Sequence, residues 1–206
     1  MTIGIDINDV LRDTTGQFIK MYQKVINPDF EIELENVTDF DFLNVFPFLD
    51  ENNRPSRMNF NKFKYEDCAF ELYGRAPVMS RTLASDFNLW TQNTLMNFDK
   101  EKTPEIILFS PFEMNLSIQS TLSFLACFGC RVRNIEFPTD SFKMWDKCDV
   151  IITANPNLLN AKLEGKISFK IEAPYNKEAK ADHVFASMEE LIKDENNTLI
   201  TLIENA

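Results

Sequence analysis

Short apolar runs rich in β-branched residues alternate with helical spacings along this chain, and that alternation predicts a parallel α/β sheet. The runs occupy 2–7, 105–110, 131–137, 149–153 and 166–171. Between the second and third, Leu116, Ile118, Leu122, Leu125 and Ala126 recur at helical spacing within 114–128. Gly129 stands where a left-handed cap would close that helix. Asn155-Pro156 suits the start of a short helix, because proline is tolerated in the first turn. Ser187, followed three residues later by Glu190, reads as a capping box opening a final helix over 187–192.

The interval between the first two runs differs in kind. Phe18, Met21, Tyr22 and Val25 mark one face of a helix. Then come an aromatic segment (Phe40, Phe42, Phe46, Phe48) and the polar stretch 51–57. An interval of about ninety residues is far longer than a βα loop of about 2–6. It predicts an inserted, mostly helical cap over 12–103, with residues 1–11 and 104–206 forming the core. The aromatic segment is expected to be the cap's own core, since an insert of this size needs apolar anchors.

Composition narrows the function classes. The chain has 206 residues, 44% of them hydrophobic and 26% charged, which suits a globular protein with a real core. No apolar stretch approaches the roughly 18 residues of a membrane span, and no basic-then-apolar secretion signal opens the chain. We therefore expect a protein that is neither transmembrane nor secreted, in a cytoplasmic or virion setting. A net charge of −11, with Lys and Arg scattered, argues against direct nucleic-acid binding. Cys127-Phe128-Gly129-Cys130 forms a C-x-x-C, but it closes a helix rather than opening one and has no second pair. A structural role is expected, with no metal.

In open α/β sheets, function gathers at the carboxyl ends of the strands. Asp6, Asn8, Ser110 and Thr153 all fall at or just beyond such ends. A carboxylate at Asp6 could attack phosphorus and form an aspartyl-phosphate, while Ser110 and Lys143 could hold the phosphoryl oxygens.

These motifs, Asp6-Ile7-Asn8-Asp9-Val10, Ile106-Ile107-Leu108-Phe109-Ser110 and Lys143 ahead of 148–152, resemble those of the haloacid dehalogenase (HAD) superfamily, in detail its 5'(3')-deoxyribonucleotidase-like branch. Asn155-Pro156 and Ala173-Pro174-Tyr175-Asn176 resemble that family's closing segments, and the insert is similar to its cap. The resemblance implies an HAD-like Rossmannoid sheet flanked by helices, with a catalytic layout of Asp6, Asn8, Ser110 and Lys143.

Two departures from the family pattern shape the expected function. The family's general acid is replaced by Asn8, whose amide cannot donate and recover a proton. The acidic pair that grips Mg²⁺ is replaced by Thr153-Ala154. Asp149 lies four residues back along the strand, roughly 13 Å away. A rescue would need Asp9, Glu113, Asp140 or Glu172 to gather around a cation. Loss of the acid alone costs about 10²–10⁴ in rate. We therefore expect a non-catalytic subunit of a larger protein assembly, with no cofactor and a vestigial pocket. The resemblance implies a bacteriophage virion as its setting, since nucleotidase-like proteins of that family are often carried by bacteriophages, and the frequent Phe, Asn, Lys and Ile, typical of AT-rich genomes, are compatible with it. The alternatives are a Mg²⁺-dependent phosphatase or 5'(3')-deoxyribonucleotidase working through an aspartyl-phosphate, and a sensor that binds a nucleotide or phosphate without turnover.

Overall fold

The computed structural model describes residues 1–96 and 103–205. Six parallel strands form one sheet: β1 (Thr2–Asp6), β2 (Glu105–Phe109), β3 (Asn134–Glu136), β4 (Val150–Thr153), β5 (Ile167–Ile171) and β6 (His183–Phe185). Their spatial order is β3-β2-β1-β4-β5-β6, so β1 lies between β2 and β4. The register pairs Asp6 with Phe109 and Ile5 with both Leu108 and Ile152, which brings the carboxyl ends of β2, β1 and β4 side by side.

The strands read as continuous apolar runs because both faces of the sheet are covered. On one face Ile3, Ile5, Leu108, Val150 and Ile152 join Phe124 and Phe128 of α5 (Leu116–Phe128). Leu83 and Phe87 of α4 (Leu83–Met96) join the same cluster. On the other face Ile107, Phe109 and Ile151 meet Trp145 of α6 (Met144–Lys147) and Leu158 of α7 (Pro156–Asn160). Gly4 is required there: a Cβ at that position would sit 2.8 Å from the Cys148 sulfur.

Capping follows the sequence signals closely. Gly129 adopts φ +69° as the left-handed end of α5. The Asn155 side chain accepts from the amides of Asn157 and Leu158, with Pro156 at the first helical position of α7. Ser187 caps α8 (Met188–Ile192), and α9 (Thr198–Glu204) follows.

The segment after β1 opens with α1 (Thr14–Val25), capped by the Asp13 side chain on the Gly16 amide. Two short helices follow, α2 (Phe42–Val45) and α3 (Arg57–Lys62), then two π-helical turns, Phe63–Asp67 and Phe70–Gly74. Their centre is Phe18, whose ring meets those of Phe42, Phe46, Phe48, Phe60 and Phe63 at 4.9–6.3 Å. Edge-to-face geometry dominates, as ring quadrupoles favour.

Two strand expectations change. The third run shortens to Asn134–Glu136, because Pro138 cannot extend a ladder and β3 lies at the sheet edge. The strand at 183–185 has no counterpart among the predicted runs; three residues at the opposite edge are too few to carry a periodic signal.

Candidate active site

Asp6 ends β1 at the floor of a cleft of about 450 Å³ between the strand ends and the aromatic cluster around Phe18. One carboxylate oxygen accepts from the Asn8 amide N–H (3.1 Å) and the other from the Thr153 hydroxyl (2.8 Å). Only 2% of Asp6 is exposed, and that burial raises its pKa to about 7 against the lowering by Thr153, Asn8 and Arg12. Asp9 nearby raises it further.

Asn8, Ser110 and Thr153 are the expected residues that the fold brings to Asp6. Asn8 Nδ2 donates to Ser110 Oγ at 2.8 Å. Asn8 Oδ1 accepts from Arg12 Nε (3.1 Å), Arg12 Nη2 (2.7 Å) and Thr14 Oγ1 (3.0 Å). Arg12 is fully buried and had no signal in the sequence beyond following two apolar residues. Its guanidinium pairs with Glu113 at 2.6 Å, donates to Thr121 and to the Tyr73 carbonyl, and lies 4.7 Å from the Tyr73 ring. Glu113 also accepts from the hydroxyls of Ser110 and Thr121. A buried ion pair is tolerated when the remaining donors and acceptors are met in this way.

Lys143 does not reach this cleft. It sits in the 3₁₀ turn Ser141–Lys143, where Ser141 and then Met144 bury, leaving Phe142 and Lys143 facing solvent. Its surroundings are a separate groove with Glu136, Phe137 and Lys147. Lys170, paired in register with Thr153, is buried but donates to the Ala179 carbonyl. The cations that line the cleft are Arg57 and Lys64 of the cap, both missed in the sequence. Arg57 is already paired in a two-pronged contact with Asp41.

Of the carboxylates that could have rescued a metal site, Asp9 shares the cleft with Asp6 but is held by Thr15 and Tyr175, and the others do not converge. Asp140 caps the Phe142 amide, Glu172 is exposed and Glu113 is committed to Arg12. Asp149 lies at the opposite edge, on the Thr2 amide and Lys166. Among the described residues, no cluster of His, Cys, Asp and Glu could hold a metal ion. Donor chemistry agrees. The Asn8 carbonyl oxygen faces a guanidinium, the Thr153 hydroxyl donates to Asp6, and Ala154 offers nothing. These residues do not fit a Mg²⁺ ion, which demands an octahedron of oxygen donors.

The C-x-x-C is likewise not a metal centre. Cys127 is exposed in the last turn of α5, and Cys130, just past the Gly129 cap, is half-buried with its thiol pKa raised by desolvation.

No family model and no curated protein matches the sequence. Solved structures do match in fold. A protein from Burkholderia xenovorans assigned as a haloacid dehalogenase-like hydrolase superposes with a TM-score of 0.58 at 8% identity, over 96% of this chain and 97% of its own. A haloacid dehalogenase-like family hydrolase from Xanthomonas campestris gives 0.53 at 10%, over 100% and 98%. A dehalogenase captured in an intermediate complex gives 0.52 at 11%, over 92% and 94%. The fold is therefore HAD-like, as the motifs implied.

The expected non-catalytic, virion-type subunit is corrected by this finding. The proteins that share the architecture nearly end to end are hydrolases and a dehalogenase, so the scaffold offers no ground for a structural-subunit reading. Among the described residues no helix is long and apolar enough to cross a membrane.

Proposed function

We propose that this protein is a hydrolase in which the Asp6 carboxylate attacks the substrate and forms a covalent ester that water then cleaves, without a bound divalent ion. The observation that supports it most is Asp6 itself. It is a carboxylate held by one backbone and one hydroxyl donor, facing a cleft, with its pKa raised by burial to about 7. A desolvated carboxylate with a raised pKa is a better nucleophile than a solvated one, and with a pKa of about 7 it is about half ionised at neutral pH. Asn8, Ser110 and Arg12 hold the turn that presents it.

Charge selects the electrophile. Arg12 is balanced by Glu113 and Arg57 by Asp41, which leaves Lys64 as the cleft cation without an ion pair among the described residues. A phosphate dianion beside Asp6 and Asp9 would meet repulsion of several kcal/mol in a dry pocket. A neutral or singly charged substrate, attacked at a carbon that carries a leaving group, meets far less. That is the class we favour, and a dehalogenase of similar fold has been captured in an intermediate complex.

A second reading is phosphomonoester hydrolysis of the nucleotidase type. Arg57 and Lys64 at the cleft wall favour it, because an anionic head group could draw on both. Isotope labelling separates the two. In a single turnover in H₂¹⁸O, attack at carbon puts ¹⁸O into the Asp6 carboxylate, whereas phosphoryl transfer puts it into released phosphate. With 2-chloropropionate and p-nitrophenyl phosphate as probes, each with Mg²⁺ and with chelator, we expect cation-independent turnover. Absence of turnover and of any adduct on Asp6 with both probes would remove the hydrolase reading.

A further inference from the structure

Hydrolysis of an ester on Asp6 requires a base for the attacking water, and Asn8 cannot serve. Asp9 can. It lies three residues beyond Asp6, lines the same cleft and is 9% exposed. Its backbone takes φ +53°, a left-handed conformation that Asp adopts more readily than most residues. Its side chain lines the cleft with Asp6, close enough for its charge to raise the pKa of Asp6.

Three donors hold the carboxylate. Oδ1 accepts from the Thr15 amide at 2.8 Å; Oδ2 accepts from Thr15 Oγ1 at 2.6 Å and from the Tyr175 hydroxyl at 2.7 Å. An ionised carboxylate has about four acceptor positions, so one remains on Oδ1 for a water. Tyr175 is buried and lines the cleft, and its ring packs against Phe40 at 5.3 Å and Phe42 at 6.3 Å. The cap thereby fixes the tyrosine, and the tyrosine fixes Asp9.

We infer that Asp9, oriented by Tyr175, is the catalytic base and acid that cleaves the Asp6 ester, in the role that Asn8 has lost. The inference rests on the proposed function. Water oxygen bonds to Cγ of Asp6 as its proton passes to Asp9. The bond from Cγ to the substrate oxygen then breaks, and the departing alkoxide takes the proton from Asp9. The second proton of the water leaves to solvent, which restores Asp6 as a carboxylate, and no oxidant, reductant or metal is consumed. Burial raises the pKa of Asp9 against the pull of its hydroxyl and amide donors, in the direction that a proton carrier needs. Tyr175 is a positioning residue and does not touch the reacting atoms.

A purely structural role for Asp9 is distinguishable. Its carboxylate also secures the first turn of α1 through Thr15, and an asparagine keeps that acceptor but cannot carry the proton. In Asp9→Asn, attack by Asp6 proceeds and cleavage slows by about 10²–10⁴. With whichever of 2-chloropropionate or p-nitrophenyl phosphate the wild type turns over, intact-protein mass spectrometry should show a stoichiometric adduct on Asp6. Stopped-flow should show a burst of about one equivalent followed by a slow steady state. Tyr175→Phe, which leaves Asp9 ionisable, should slow cleavage by about tenfold and accumulate less adduct. Thermal melting checks that both variants are folded; if Asp9→Asn is not, the adduct in Tyr175→Phe decides. Wild-type-like turnover in these variants, with no adduct, overturns this inference alone. Undiminished turnover in Asp6→Asn overturns the proposed function, and this inference with it.

Discussion

The floor of the cleft and its cap wall are built on opposite principles. The floor is polar and saturated: Asp6, Asn8, Ser110, Arg12, Glu113 and Thr121 are all buried or nearly so and linked by hydrogen bonds. The wall is mainly aromatic, with Phe18 surrounded by five rings, and carries the Arg57–Asp41 pair at its exposed side. In the floor each group is needed because removing one partner strands another in a dry interior. In the wall only volume and shape are needed, and neighbouring hydrophobes can substitute. Under the proposed function, the floor carries the chemistry and the wall sets what fits.

The largest expected effect falls on the floor. Asp6→Asn should lower turnover by at least about 10³-fold, measured in steady-state assays of any substrate that the wild type hydrolyses. Nearly as large is the cost of opening the network. Arg12→Met leaves the Glu113 carboxylate buried without its partner, and chemical denaturation should show a loss of about 3–5 kcal/mol. A loss below about 1 kcal/mol would mean that the ion pair is not structural, and the comparison would fail on its polar side.

pH sharpens the same contrast. Asp6 has a folded pKa of about 7 against an ordinary 3.8, so the folded state holds its proton more tightly than the unfolded chain does. Stability from this group is complete below about pH 4 and is lost as pH rises towards 7. The ceiling is roughly 4 kcal/mol, at about 1.4 kcal/mol per pH unit separating the folded and unfolded values. Asp6→Asn should thus melt several degrees above wild type at pH 8 and nearly together with it at pH 4. Activity runs the other way: attack needs the ionised form, so the rate should climb with pH and level off just above 7.

Smaller effects test the wall. Phe18→Leu keeps the apolar character and loses part of the ring volume, and should cost about 1–2 kcal/mol in denaturant titrations. Phe18→Ala, which empties the centre of the cluster, should cost about 3–5 kcal/mol. If the two were equally damaging, ring–ring geometry and not volume would govern the cap. Smallest of all, Cys127→Ser should change stability by less than about 0.5 kcal/mol, since the thiol is exposed in the last turn of α5.

Much of the core was legible because its signals are local. Apolar runs bounded by turn residues marked β1, β2, β4 and β5. Gly129, Asn155-Pro156 and Ser187 marked helix ends through backbone chemistry that neighbours in sequence decide. Asp6, Ser110 and Thr153 meet at one edge of the sheet, where strand ends alone place them. Lys143 was misplaced, since the face it takes depends on which side of a short 3₁₀ turn packs against Trp145 and Phe109. Arg12 was invisible for the complementary reason. A charged residue after two apolar ones reads as the surface end of a strand, and only Glu113, a hundred residues later, makes its burial tolerable.

Sequence alone determined the layers of this protein, the strand whose end carries Asp6, and the neutral Thr153-Ala154 at the end of β4. Those are matters of composition and short-range pattern, and short-range forces suffice to set them. Tertiary structure decided that Asp6 is desolvated, that Arg12 ties Asn8 to Ser110, and that Asp9 meets Tyr175 across 166 residues. Electrostatics in a dry cleft depends on which distant groups are brought together, and no local window of the chain contains that information.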